Sequence, residues 1–301
     1  MSLLQRKIAV LMLVTFVVLS AAAVLTLVLK SGAPPPPVRI HLSYSVTIQN
    51  MTNQLLRNAS VRVGVPAEET PFQQRAQIRS DHTFQLPANP LDHPPSDTET
   101  LLFEWELFPP FATKIVTIRS AIDLWEISRQ QGDEDLTPYL VPEPFIESDN
   151  PLIMGLAATL KEDDPLRTVG NTFQWVSEKL HYIGYVKRTR GALYALEHLR
   201  GDCTEFAFLF VALCRANGIP ARAVGGFVCP QSAVLDLGDY HNWAEFHHDG
   251  RWHVADPQRN RLMNDQHQYV VFHYLRPSEG LHEIPFVAVS EAGPLVARTK
   301  R

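Results

Sequence analysis

The run RGDCTEFAFLFVALCRANGIPARAVGGFV, Arg200 to Val228, constrains the fold more than any other part of this chain. Its middle, Phe206 to Cys214, is apolar at every position. Wound as a helix it has no polar stripe and no face to give to water, so it belongs inside a domain, covered on all sides. Its ends are marked as clearly. Asp202 stands where an N-cap is needed, and Glu205 three residues on completes a capping box. Gly218 supplies a left-handed stop after Asn217. The spacing predicts a central helix from about Cys203 to about Asn217, with the rest of a domain built around it.

Cys203 falls in the first turn of that helix. The chain has three cysteines, Cys203, Cys214 and Cys229, too few and odd in number for a disulfide framework. Cys214 lies within the apolar run and reads as core, and Cys229 ends a strand before Pro230. Along one helix Cys203 and Cys214 are about 16 Å apart, beyond any disulfide. A Cys203–Cys229 pair is the redox alternative. A thiol at the positive end of a buried helix is expected to lean toward thiolate, which is how a nucleophile is made. The plain alternative is a small buried hydrophobe.

A nucleophilic cysteine works with an imidazole, and the imidazole with an orienting acceptor. Downstream, DYHNWAEFHHDGRWHVADP runs from Asp239 to Pro257. Asp249-Gly250 is a two-residue hairpin signal. A tight turn there sets His248 opposite Arg251 and Trp243 opposite Asp256. His241, two residues from Trp243, then shares a face with Asp256 as its diagonal neighbour. A slip of one residue would separate the two. His247 shares that face nearer the turn, while His248 and His253 point the other way. So many histidines raise the thought of zinc, but no paired ligands stand on one element, and we assign no metal and no cofactor. Trp243 and Trp252 fit a cleft lining or a core equally well.

The flanks set the organisation. Arg6 and Lys7 precede an uncharged stretch from Ile8 to Leu29. As a helix it spans about 33 Å, enough to cross a bilayer core. It reads as an uncleaved anchor with the N-terminus inside, Ser20–Ala23 being the alternative cleavage site. Gly32–Pro37 forms a stiff proline spacer. We therefore expect a tip, anchor and spacer over 1–37 and a small antiparallel β-sandwich over 38–123. A Pro-rich acidic linker over 124–150 follows, and then a catalytic domain over 151–301. In that last part Asn150-Pro151 starts one helix. Leu166, Val169, Phe173, Val176 and Leu180 line one face of the next, and a short helix or turn over Gly191–Gly201 leads to Cys203. The net charge of −5 and the lack of a basic block argue against nucleic acid as a partner.

Taken together, GALYALEHLRGDCTEFAFLFVALCRANGIPAR and YHNWAEFHHDGRWHVADP resemble the transglutaminase-like superfamily, relatives of the papain-type cysteine peptidases. The resemblance covers about Pro151 to Pro257. It implies an α+β domain with the central helix packed on an antiparallel sheet. It implies Cys203 as nucleophile, His241 as general base and acid, and Asp256 as orienter. It also implies a bacterial, membrane-anchored layout, single-pass in the cytoplasmic membrane with the bulk periplasmic. The implied chemistry is acyl transfer on protein or peptide amides through a thioester, hydrolysis being slightly favoured over crosslinking. The alternative is a tethered binding or assembly module whose triad is idle. The second oxyanion donor, after the Cys203 backbone N–H, is not legible; Trp175 and Tyr182 are the candidates for it.

Overall fold

The structure is a computed structural model that describes residues 35–85, 99–129, 134–279 and 295–299. The anchor expected at Ile8–Leu29 lies outside the described residues. Among the described residues no helix is long and apolar enough to cross a membrane.

The first part is all strand: β1 (Val38–Asn50), β2 (Leu56–Gly64), β3 (Glu69–Thr70), β4 (Gln73–Ser80), β5 (Thr100–Phe108) and β6 (Thr113–Leu124). Alternation in β1 sends Ile40, Leu42, Tyr44, Val46 and Ile48 to one buried face. β6 pairs antiparallel along nearly all of β1, from Val38 opposite Leu124 to Gln49 opposite Thr113. β2 and β5 make a separate two-stranded layer whose Val61, Val63, Leu101 and Phe103 meet the inward face of β1 and β6 in one core. Two layers closing over their alternate residues are a β-sandwich.

Next come α1 (Pro151–Leu160), α2 (Pro165–Lys179), β7 (His181–Tyr182), α3 (Gly191–His198), β8 (Arg200–Gly201) and α4 (Cys203–Ala216). They are followed by β9 (Ala221–Val228), β10 (Ala233–Val234), β11 (His241–His248), β12 (Arg251–Asp256), β13 (Arg261–Leu262), β14 (Tyr269–Leu275) and β15 (Leu295–Thr299). Five of these strands form a sheet in the order β13-β12-β11-β9-β14. α4 is buried from Glu205 to Arg215, as its composition requires. One side packs on α1, α2 and α3; the other rests on the sheet's Ala221, Ala223, Ala244, Phe246 and Ala255. Alanine at four of those five positions lets the helix lie close. The far face of the sheet carries Val224, Trp243, Trp252, Val254, Tyr269 and Val271, covered by Ala67 and Phe72. Both tryptophans are therefore core.

The described residues from Pro37 onward form one compact unit. Phe227, Cys229, Val270 and Phe272 of β9, its C-terminal flank and β14 enter the sandwich core. β10 pairs with β1, and this pairing is parallel, within an otherwise antiparallel layer. Residues 134–150 cross the surface in contact with the sheet. Glu134 accepts from the Trp252 indole at 2.8 Å, Glu143 pairs with Arg215 at 2.8 Å, and Ile146 is fully buried in the helical core.

Candidate active site

The capping box forms. Asp202 Oδ1 accepts from the Thr204 N–H at 2.8 Å, and Glu205 Oε2 accepts from the Asp202 N–H at 3.0 Å. The same two carboxylates hold the preceding segment, since Val186 N–H donates to Asp202 Oδ2 and Arg190 N–H to Glu205 Oε1, each at 2.9 Å. Cys203, a half-buried free cysteine, is thus fixed at the first position of α4. Its own N–H is one of those a helix start leaves without an intrahelical acceptor.

The hairpin turns on Asp249 and Gly250, both with positive φ, 50° and 72°. That is the geometry of a type I′ turn, and it fixes the register read from the sequence: His248 opposite Arg251, His247 opposite Trp252 and Ala244 opposite Ala255. His241 and Asp256 meet as a consequence. His241 Nε2 lies 2.7 Å from Asp256 Oδ2. Asp256 is fully buried, and it also accepts from the Tyr269 hydroxyl at 3.0 Å and the Arg259 N–H at 3.2 Å. A carboxylate only accepts, so the His241 proton on this side sits on Nε2 and the Nδ1 lone pair is left for another partner. The imidazole is stacked on Trp243, 6.3 Å between centroids.

Cys203 reaches the same strand. The backbone N–H of Asn242 lies near enough to the sulfur to favour its charged form. The Asn242 carboxamide donates to the hydroxyl of Thr204, the residue after the cysteine, at 2.9 Å. The thiol, the His241–Asn242 peptide and the His241–Asp256 pair therefore occupy one end of the sheet, where α4 begins.

The electrostatics of the thiol differ from the expectation. Burial and the neighbouring Asp202 charge push Cys203 up to about 12, with Asp256 and Glu205 adding in the same direction; the Asn242 N–H opposes them. The helix start was expected to favour thiolate, but the cap that starts the helix is itself a carboxylate beside the sulfur.

The other sequence candidates separate. Cys214 and Cys229 are buried. His247 packs edge-on to Trp252, and His253 lies against Phe246 on the opposite face. Trp175 packs into the helical core, whereas Tyr182 is 54% exposed and its hydroxyl is raised by burial and then by the Cys203 charge. Residues that the sequence reading passed over complete the surroundings: Thr204, Tyr240, Asn242, Tyr269 and His273. The signals available for them were the hairpin alternation, which sets Tyr240 and Asn242 on the face toward α4, and Gly225-Gly226, since paired glycines inside a strand mark close approach by something else.

Residues 155–257 match the family model of the transglutaminase-like superfamily. Among curated proteins, an uncharacterized protein of Mycobacterium leprae is 32% identical over 112 residues, 36% of this chain and 40% of that one. The chain thus spans less than half the length of that relative. Among solved structures, a candidate cysteine protease from Cytophaga hutchinsonii superposes with a TM-score of 0.55 at 18% identity, over 87% of this chain and 92% of the other. That likeness is one of fold.

Proposed function

We propose that this chain, whose residues 155–257 are a transglutaminase-like domain, is a cysteine-dependent acyl-transfer enzyme acting on protein or peptide amides. One observation carries the reading: the 2.7 Å His241–Asp256 contact stands at the strand end whose next residue, Asn242, is bonded at 2.9 Å to Thr204, the neighbour of Cys203 at the start of α4. A histidine oriented by a buried carboxylate, next to a thiol at a helix start, is the arrangement thiol nucleophiles use. The partners would be a protein or peptide substrate. The uncharged stretch Ile8–Leu29 after Arg6 and Lys7 supports a single-pass anchor in the cytoplasmic membrane with the bulk on the far side. Substrates would then be the proteins and peptides reachable there.

In this mechanism the resting thiol is neutral. As an acyl donor settles against Cys203, the proton passes from sulfur to His241 Nδ1, and Asp256 holds the resulting imidazolium through Nε2. The sulfur bonds to the carbonyl carbon, and the oxygen takes the negative charge. The Cys203 N–H at the helix start stabilises that oxygen. His241 then gives its proton to the departing amine as the carbon–nitrogen bond breaks, leaving a thioester. Water or a primary amine resolves the thioester, and the sulfur recovers its proton through His241.

The test uses the full chain in detergent with p-nitrophenyl acetate. We expect one equivalent of nitrophenolate in a burst and an acetyl adduct on the Cys203 peptide by mass spectrometry. The adduct's decay in buffer, with and without a primary alkyl amine, tells hydrolysis from transfer. No Cys203 adduct, or a Cys203→Ala burst equal to wild type, overturns the reading and leaves the idle binding module in its place.

A further inference from the structure

Tyr240 and His273 form a second polar pair at the same strand end, on the side of the sheet toward α4. Tyr240 is the residue before His241. Its hydroxyl lies 3.2 Å from His273 Nε2, and the two rings are nearly parallel, 10° apart in plane with centroids at 6.1 Å. His273 is buried, and it is drawn opposite Gly225 by a register shift in β14 after Val271. Asn242 stands opposite Gly225 from the other neighbouring strand. The point that a Cβ on Gly225 would occupy is 2.0 Å from the Tyr240 hydroxyl oxygen, 2.9 Å from His273 Cε1 and 3.0 Å from Asn242 Oδ1. Gly225 has an ordinary φ, so the glycine is there for space, and three polar groups from two strands fill that space.

We propose that Tyr240 and His273 are positioning residues for the nucleophile: their hydrogen bond across Gly225 clamps Tyr240, and with it the His241–Asn242 start of β11, to β14, and so sets His241 and Asn242 beside Cys203. The clamp rests on the reading of Cys203 as a nucleophile made above. The two ends of the run are tied independently, Tyr240 by its hydroxyl to His273 and Asn242 by its carboxamide to Thr204. The edge of Phe227 packs on the Tyr240 ring with centroids 5.8 Å apart, which limits the ring to its present setting. Burial holds the Tyr240 hydroxyl well above its ordinary range, and the Cys203 charge adds to this, so the hydroxyl acts as a hydrogen-bonding group and not as an acid near neutral pH.

The test is the pH profile of Cys203 alkylation by iodoacetamide on the full chain, read peptide by peptide, with thermal unfolding beside it. The charged and titratable groups around the thiol are Asp202 from the cap of α4, Glu205 from α4, Asp256 from β12, Tyr182 from β7 and Tyr240 itself, with His241 paired to Asp256. Tyr240→Phe removes one oxygen and leaves all the charges. We expect its alkylation at pH 7 to fall about fivefold to tenfold and its profile to move to higher pH. His273→Leu should do the same. His273→Gln, whose amide N–H reaches the place of Nε2, should restore most of the rate. If Tyr240→Phe and His273→Leu lower only the melting temperature, with rates within twofold of wild type, the clamp is merely structural and the proposal falls. His241→Ala separates the layers of the argument. If it slows alkylation while Tyr240→Phe does not, only the clamp is lost; if neither variant nor wild type departs from an unassisted thiol, the nucleophile reading is lost and takes the clamp with it.

Discussion

Asp256→Asn tests the pair that carries the functional reading. Asp256 has no solvent exposure and three donors: His241 Nε2 and the Tyr269 hydroxyl on Oδ2, and the Arg259 N–H on Oδ1. Asparagine has one accepting oxygen and one donating nitrogen. If the oxygen takes the Oδ2 place, the amide N–H groups confront the Arg259 N–H. If the nitrogen takes it, the amide donates to His241, forces the proton onto Nδ1, and removes the base that the proposed mechanism uses there. Either way the charge that stabilises the imidazolium is gone. A hydrogen bond to a charged group contributes about 1.5–3 kcal/mol. At about 1.36 kcal/mol per factor of ten, the imidazolium loses about 10- to 100-fold of its stabilisation. The equilibrium between thiol–imidazole and thiolate–imidazolium shifts by the same factor, so alkylation of Cys203 at pH 7 should fall about 10- to 100-fold. The assay is iodoacetamide labelling from pH 5 to 10, with far-UV circular dichroism to show that the fold persists. A variant that is folded and labels within threefold of wild type across that range would refute the assignment of Asp256 as the group that sustains His241.

Three further predictions follow from the same coordinates. In His241→Ala the thiol loses its proton acceptor, and since burial and Asp202 raise it to about 12, it should stay protonated through pH 9 and label only at strongly alkaline pH, well above the ordinary thiol value near 8.5; labelling with a midpoint near 8.5 would contradict this. Leu209→Asp places an unpaired carboxylate at a fully buried position of α4, and we expect no cooperative unfolding transition and loss of soluble protein; a folded variant would contradict the placement of that helix. Glu245→Leu removes the nearer of two carboxylates from Arg222, whose buried guanidinium is bonded to Glu245 at 2.7 Å, lies 3.7 Å from Glu134 and is stacked on Trp252 and Tyr274; urea unfolding should show a loss of up to about 3–5 kcal/mol, most of it recovered in the double variant Arg222→Met/Glu245→Leu.

Local rules carried the legible part of this fold. Asp249-Gly250 can turn a hairpin in essentially one way, and side-chain alternation then decides which residues share a face, so His241 and Asp256 could be brought together across fifteen positions without a structure. Asp202, Glu205 and Gly218 marked both ends of α4 because caps are satisfied within a few residues. What stayed hidden depends on packing between distant segments. Val270 and Phe272 lie in one core with β1 and β6, and nothing local in the sequence says so. His273 comes opposite Gly225 only because β14 shifts register after Val271, and the sequence VVFHYL does not show the shift. The thiol is the sharpest case. The helix start argues for thiolate, yet the residue that makes this a helix start is an aspartate, and its charge, with burial, argues more strongly for the thiol. Replacing Asp202 by a neutral cap would ease ionisation but would release Val186, which the second oxygen of Asp202 holds beside the site. With burial first and this aspartate second favouring the thiol, the proposed enzyme does not start from a standing thiolate. It has to move the proton when the acyl donor arrives, and that makes the His241–Asp256 contact, more than the helix dipole, the feature on which the proposed chemistry depends.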